Sequence, residues 1–88
     1  MTDKEYRDLY SKSKTEAQNA LFYEYINYVY AIVYNKLRSC GTKEDIEECV
    51  SDIFSAVFLS YDDQNNLNGD LKGFIGTIAN RKAINRFK

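Results

Sequence analysis

Histidine, tryptophan and proline are absent from the 88-residue sequence; cysteine occurs twice, methionine once and glycine four times. Without histidine, Cys40 and Cys49 alone cannot complete a tetrahedral zinc site within one chain. There is no phosphate-cradling glycine loop and no convergent carboxylate pair at helix spacing with an obvious pocket. These absences argue against an enzyme and against any cofactor.

Long apolar runs are missing too. The longest uninterrupted stretch, Tyr28 to Tyr34, has seven residues, far short of the roughly 20 that span a bilayer. The opening MTDKEYRDLY is polar and holds no signal-peptide core. The reading is a soluble cytoplasmic protein with no membrane partner. In a reducing compartment Cys40 and Cys49 are expected to be buried or incidental thiols, with a single disulfide the less favoured alternative.

With 44% hydrophobic and 28% charged residues, the chain has the composition of a folded domain. Its length suffices for one core and is too short for two. The expected fold is all-α, a compact bundle of about four helices in one domain spanning 1–88. The formal net charge of −1 conceals a segregation: residues 71–88 carry five basic residues and no acid, whereas the first 70 carry 7 basic and 13 acidic residues. An acidic body with a basic last helix suggests two partners of opposite character.

The first helical segment lies within 1–14, from Asp3 to about Lys12, with Tyr6, Leu9 and Tyr10 on one side. Thr15 followed by Gln18 reads as a capping box opening a central helix over 16–39, with Gly41 as the stop signal just beyond it. Apolar residues from Leu21 to Leu37 cover well over half of that helix, leaving a narrow polar strip of Glu24, Asn27, Asn35 and Arg38. A helix apolar that far around belongs at the centre, covered from several sides.

A third helix is expected over 43–60, with Thr42 as N-cap and acidic residues in its first turn. Ile46, Cys49, Val50, Ile53, Phe54, Val57 and Tyr61 form one stripe at helical spacing, the pattern of a core-facing side. Glu44, Glu47, Glu48, Ser51 and Asp52 occupy the opposite side. By itself such a side is an ordinary solvated face. Residues 62–70, DDQNNLNGD, have loop composition, and Asp70 is a candidate N-cap for a last helix over 71–87. On that helix Leu71, Phe74, Ile75, Ile78 and Ala79 make the expected core stripe. Thr77, Asn80, Arg81, Ile84 and Lys88 align on another face, where amide, guanidinium and ammonium groups can reach phosphates and base edges. Gly73 and Gly76 each cost roughly 1 kcal/mol of helix stability against alanine, so each calls for a close approach or strong tertiary packing.

The run EDIEECVSDIFSAVF resembles the second conserved helix of region 2 in extracytoplasmic-function sigma factors of the sigma-70 family, typified by EDAEDLVQEVFLRAW. Glu44, Asp45, Glu47, Val50 and Phe54 match, while Glu48, Asp52 and Phe58 stand where that family tends to have Asp, Glu and Trp. The resemblance continues through LNGDLKGFIGTIANRKAINRFK, similar to the family's FRAWLLRIARNLALDHLR: Phe74 stands at the usual Trp, and Ile78, Ala79 and Ala83 match. Where the family usually places Arg then Asn, this chain has Asn80 then Arg81.

The resemblance implies a transcription initiation domain without catalysis. Its acidic helix, through Glu44, Glu47, Glu48, Ser51 and Asp52, would dock on the clamp coiled coil of the largest subunit of bacterial RNA polymerase. The loop and last helix would recognise and melt the minus-ten promoter element, capturing bases of the non-template strand. Asn65, Asn66, Asn68 and Asp70 are then candidates for base edges, and Lys72, Thr77, Asn80, Arg81, Ile84 and Lys88 for the strand and its phosphates. An anti-sigma factor is a conceivable third partner. Such factors normally also carry a helix-turn-helix domain for the minus-thirty-five element, so a chain ending at Lys88 is expected to be a fragment ending at a domain boundary, the less favoured case being a protein that acts with a separate partner. The alternative is a helical interaction module, an anti-sigma partner or phage-type polymerase modulator, that keeps the acidic face and melts no DNA.

Overall fold

The computed structural model describes residues 1–38, 41–64 and 70–86, the side chains of 62–64 aside. They form four helices: α1, Asp3–Lys12; α2, Lys14–Leu37; α3, Lys43–Gln64; and α4, Leu71–Arg86. There is no strand among the described residues, and none of these helices is long and apolar enough to cross a membrane. The expected all-α bundle is what forms.

Side-chain caps set several helix boundaries. Thr2 accepts from the Glu5 amide at 3.1 Å and opens α1. A single extended residue, Ser13 (φ −157°, ψ 111°), closes α1 and opens α2, its hydroxyl accepting from the Glu16 amide. The central helix therefore begins before Thr15, and the box expected from Thr15 and Gln18 does not form the start: Ser13 already satisfies the first free amides. At α3, Thr42 Oγ1 accepts from the Asp45 amide at 3.1 Å, while Asp45 Oδ2 accepts from the Thr42 amide at 3.0 Å. This is a reciprocal capping box built with aspartate.

α2 packs against each of the other three helices. At 1.5 Å per residue its 24 residues account for most of the molecule's 41 Å long axis. Ala17, Leu21, Tyr25, Val29, Val33 and Leu37 are its buried row, while Phe22 and Tyr34, read as part of the broad apolar surface, stand exposed. All seven residues of the stripe expected on α3 are buried. α3 runs one turn beyond the expected end because Tyr61 is held by Tyr6 and Tyr10 of α1, with ring centroids at 4.8 and 5.0 Å.

The core stripe of α4 differs from expectation. Leu71, Ile75, Ala79 and Ala83 are buried together with Gly76, whereas Phe74 and Ile78 sit half-buried at the margin. Small residues let α4 approach α2 closely: a Cβ on Gly76 would stand 2.5 Å from the Tyr28 hydroxyl. Gly76 thus answers to a close approach by a side chain of α2. For Gly73 no such approach exists among the described residues, where a Cβ meets nothing nearer than Asp70 Cβ at 3.8 Å.

Candidate functional site

Two surfaces carry the residues singled out from the sequence. The first is the solvent side of α3, where Glu44, Glu47, Glu48, Ser51 and Asp52 are all exposed. Behind them the buried stripe holds the helix against the core. Phe54, packed on Phe22 of α2 with centroids at 4.8 Å, contributes to that support. Glu47, Glu48, Ser51 and Asp52 line a shallow open depression.

A residue not singled out from the sequence enters this face. Arg86, in the last turn of α4, donates from Nη2 to Glu48 Oε2 at 2.7 Å. The same guanidinium lies 3.9 Å from Asp45 Oδ1 and, through Nη1, 3.6 Å from Asp52 Oδ2. Glu44 and Glu47 have no ion-pair partner among the described residues. The carboxyl of Asp45 is held below its ordinary pKa, chiefly by the hydrogen bonds from Thr42 and in smaller part by Arg86. Cys49, buried beneath this face, has its thiol pushed up by desolvation.

The second surface lies on α4. Asp70 caps the helix, its Oδ1 accepting from the Lys72 amide at 3.2 Å and its carbonyl from the Phe74 amide at 3.0 Å. Lys72 is exposed at the backbone start of the helix, and its ammonium lies 4.9 Å from the centre of the Tyr28 ring. Thr77, Asn80, Arg81 and Ile84 are all exposed on this helix. Thr77 Oγ1 donates to the Gly73 carbonyl and Asn80 Nδ2 to the Gly76 carbonyl, both at 2.9 Å. With its hydrogen so engaged, the Thr77 hydroxyl faces any ligand as an acceptor.

Thr77 and Arg81 line one surface depression together with Ser60 of α3 and with Phe74 and Ile78. Asn80 and Ile84 are not among its lining residues. The sequence pattern assigned Phe74 and Ile78 to the core and did not bring Ser60 into the site. Asn65, Asn66, Asn68 and Lys88 lie outside the described residues.

The depression therefore combines a half-buried ring, an aliphatic wall, two hydroxyls and a guanidinium, on a helix whose described residues include no acid. Such a set can stack on a flat ring, accept a hydrogen bond from it and neutralise a phosphate. It offers neither a nucleophile with a base nor a ligand cluster for a metal among the described residues.

Comparison with known proteins finds a family match. The family model described as Sigma-70 region 2 matches residues 21–88, which takes in most of α2 and all of α3 and α4. No curated protein and no solved structure matches the chain.

Proposed function

The chain belongs to the sigma-70 region 2 family, whose role lies in transcription initiation and promoter recognition, and from that premise we propose a division of labour between its two surfaces. The acidic side of α3 docks on the clamp coiled coil of the largest RNA polymerase subunit, through Glu44, Glu47, Glu48, Ser51 and Asp52. α4 and the segment before it recognise the non-template strand of the minus-ten element and hold it open. The domain performs no chemistry; it directs binding energy at a protein on one side and at DNA on the other.

The observation that carries this reading is the depression formed by Ser60, Phe74, Thr77, Ile78 and Arg81. A base lifted from the duplex needs a flat apolar contact and a partner for its edge, and the strand behind it needs positive charge. Phe74 and Ile78 supply the first. Thr77, restricted to accepting, favours a base edge that presents an amino group. Arg81 supplies the charge at the rim, with Lys72 on the first turn as a further cation. Asn80 and Ile84 extend the contact along the helix, and Asn65, Asn66, Asn68, Asp70 and Lys88 remain candidate DNA contacts.

Because the body is acidic and the cations few, the domain alone should bind single-stranded minus-ten DNA weakly and with a marked salt dependence. Fluorescence anisotropy with such an oligonucleotide tests the surface. Arg81→Ala should weaken binding and reduce the logarithmic salt slope by about 0.7, the single-strand value for one phosphate contact. An unchanged slope would remove Arg81 from the site. Tight, salt-insensitive binding to duplex DNA by the isolated domain would contradict the electrostatic basis of the reading.

A further inference from the structure

The docking face is not a uniform row of free carboxylates. Glu48 and Asp52, one helical turn apart, share the Arg86 guanidinium at 2.7 and 3.6 Å, and Asp45 lies at its edge at 3.9 Å. The Arg86 side chain is 30% exposed, whereas those of Glu48 and Asp52 remain 69% and 64% exposed. The arginine is thus seated into the face, and the carboxylates stay open to an incoming cation. Toward the helix start, Glu44 and Glu47 are exposed and have no ion-pair partner among the described residues.

We propose that Arg86 is an internal competitor of the docking face that leaves the Glu44 and Glu47 end open and holds the Glu48 and Asp52 end against an incoming cation, lowering the affinity of the face for its partner. The inference rests on the docking reading given above. A partner cation reaching Glu44 or Glu47 displaces no ion pair among the described residues. One aimed at Glu48 or Asp52 shares its carboxylates with a guanidinium already in place, or expels it. A loosely basic chain therefore gains only from the open end. A partner whose cations match both ends in register gains from the whole row, less what Arg86 withholds at Glu48 and Asp52, so the competitor lowers the affinity of the matched partner. The pairing also ties the last turn of the DNA-facing helix to the polymerase-facing helix, across 38 residues of sequence.

Calorimetric titration of the isolated polymerase clamp coiled coil tests this with wild type, Arg86→Gln and Arg86→Lys. Removing one partly exposed competitor should tighten binding by about two- to fivefold at low salt, the range set by partly exposed ion pairs, and should steepen its salt dependence. Arg86→Lys, which keeps the charge without the planar fork, should fall between. Glu48→Gln should then cost more affinity in the Arg86→Gln background than in the wild type. Circular dichroism establishes that each variant is folded before it is titrated. If the wild type binds and Arg86→Gln binds equally or less tightly, the competitor role is wrong while docking stands. Should the wild type fail to bind a coiled coil that accepts a known sigma factor, the docking reading falls, and this inference with it.

Discussion

Gly76→Ala offers a sharp test of how α4 is seated, because local propensity and tertiary packing predict opposite signs. Replacing a helical glycine by alanine ordinarily stabilises by roughly 1 kcal/mol. Here the new Cβ would lie 2.5 Å from the Tyr28 hydroxyl and 3.5 Å from its Cζ, so the ring or the helix must move. The Tyr28 ring is not free to swing without loss, since it carries the Lys72 ammonium at 4.9 Å and packs on Tyr25 with centroids at 6.3 Å. Overpacking of this kind costs about 1–3 kcal/mol, which outweighs the propensity gain. The expected net effect is a loss of about 1 kcal/mol, or roughly 4–8 °C in Tm for a chain of this size.

Two controls isolate the cause. Among the described residues the new Cβ of Gly73→Ala meets only Asp70 atoms, at 3.8 and 3.9 Å, and the substitution should stabilise by up to about 1 kcal/mol. In a Tyr28→Phe background the clashing oxygen is gone, so Gly76→Ala should change sign and become stabilising. Urea unfolding followed by circular dichroism measures all of these, and the double-mutant cycle extracts the coupling directly. If Gly76→Ala stabilises as much as Gly73→Ala in the presence of Tyr28, the close approach of α4 to α2 is wrong. The placement of Thr77 and Arg81 would then have to be revised with it.

Further consequences concern the core and the acid limb of stability. Ile53 is fully buried in the α3 stripe, so Ile53→Ala should destabilise by about 2–5 kcal/mol in the same unfolding assay. The folded-state pKa of Asp45 is depressed by the Thr42 hydrogen bonds. Its contribution is therefore present above the unfolded carboxylate pKa and is lost as pH falls through the lower folded one. Asp45→Asn should flatten the acid limb of the pH–stability profile, and an unaltered limb would deny the capping box that role. Thr42→Ala should cost about 1 kcal/mol at neutral pH, measured by urea unfolding.

Much of the fold was legible in the sequence because one periodicity dominates each element. On α3, large apolar residues alternate with acids at helical spacing, and all seven core positions follow from that pattern. α4 was harder. Leu71, Ile75 and Ala79 lie in its buried row as expected, but the row also takes in Gly76 and Ala83, and a reading weighted toward large side chains puts Phe74 and Ile78 inward in their place. That error hid the depression, whose apolar walls are those same two residues. The later end of α3 depends on Tyr61 meeting Tyr6 and Tyr10, contacts between segments distant in sequence. Likewise Arg86 gave only a local signal, a cation at a helix C-terminus where cations are ordinary. Its pairing with Glu48 exists only once α4 lies against α3.

The central claim is that the exposed acidic side of α3 docks on polymerase, and the most direct measurement is calorimetric titration of this domain with the isolated clamp coiled coil, Asp52→Arg run alongside. Asp52 is exposed and near Arg86, so the substitution reverses charge on the face and sets two cations side by side without touching the core. Wild-type binding that disappears in Asp52→Arg, with helix content unchanged, is the predicted result. Equal binding by a folded Asp52→Arg variant, or none by the wild type when a known sigma factor binds the same coiled coil, would contradict the account.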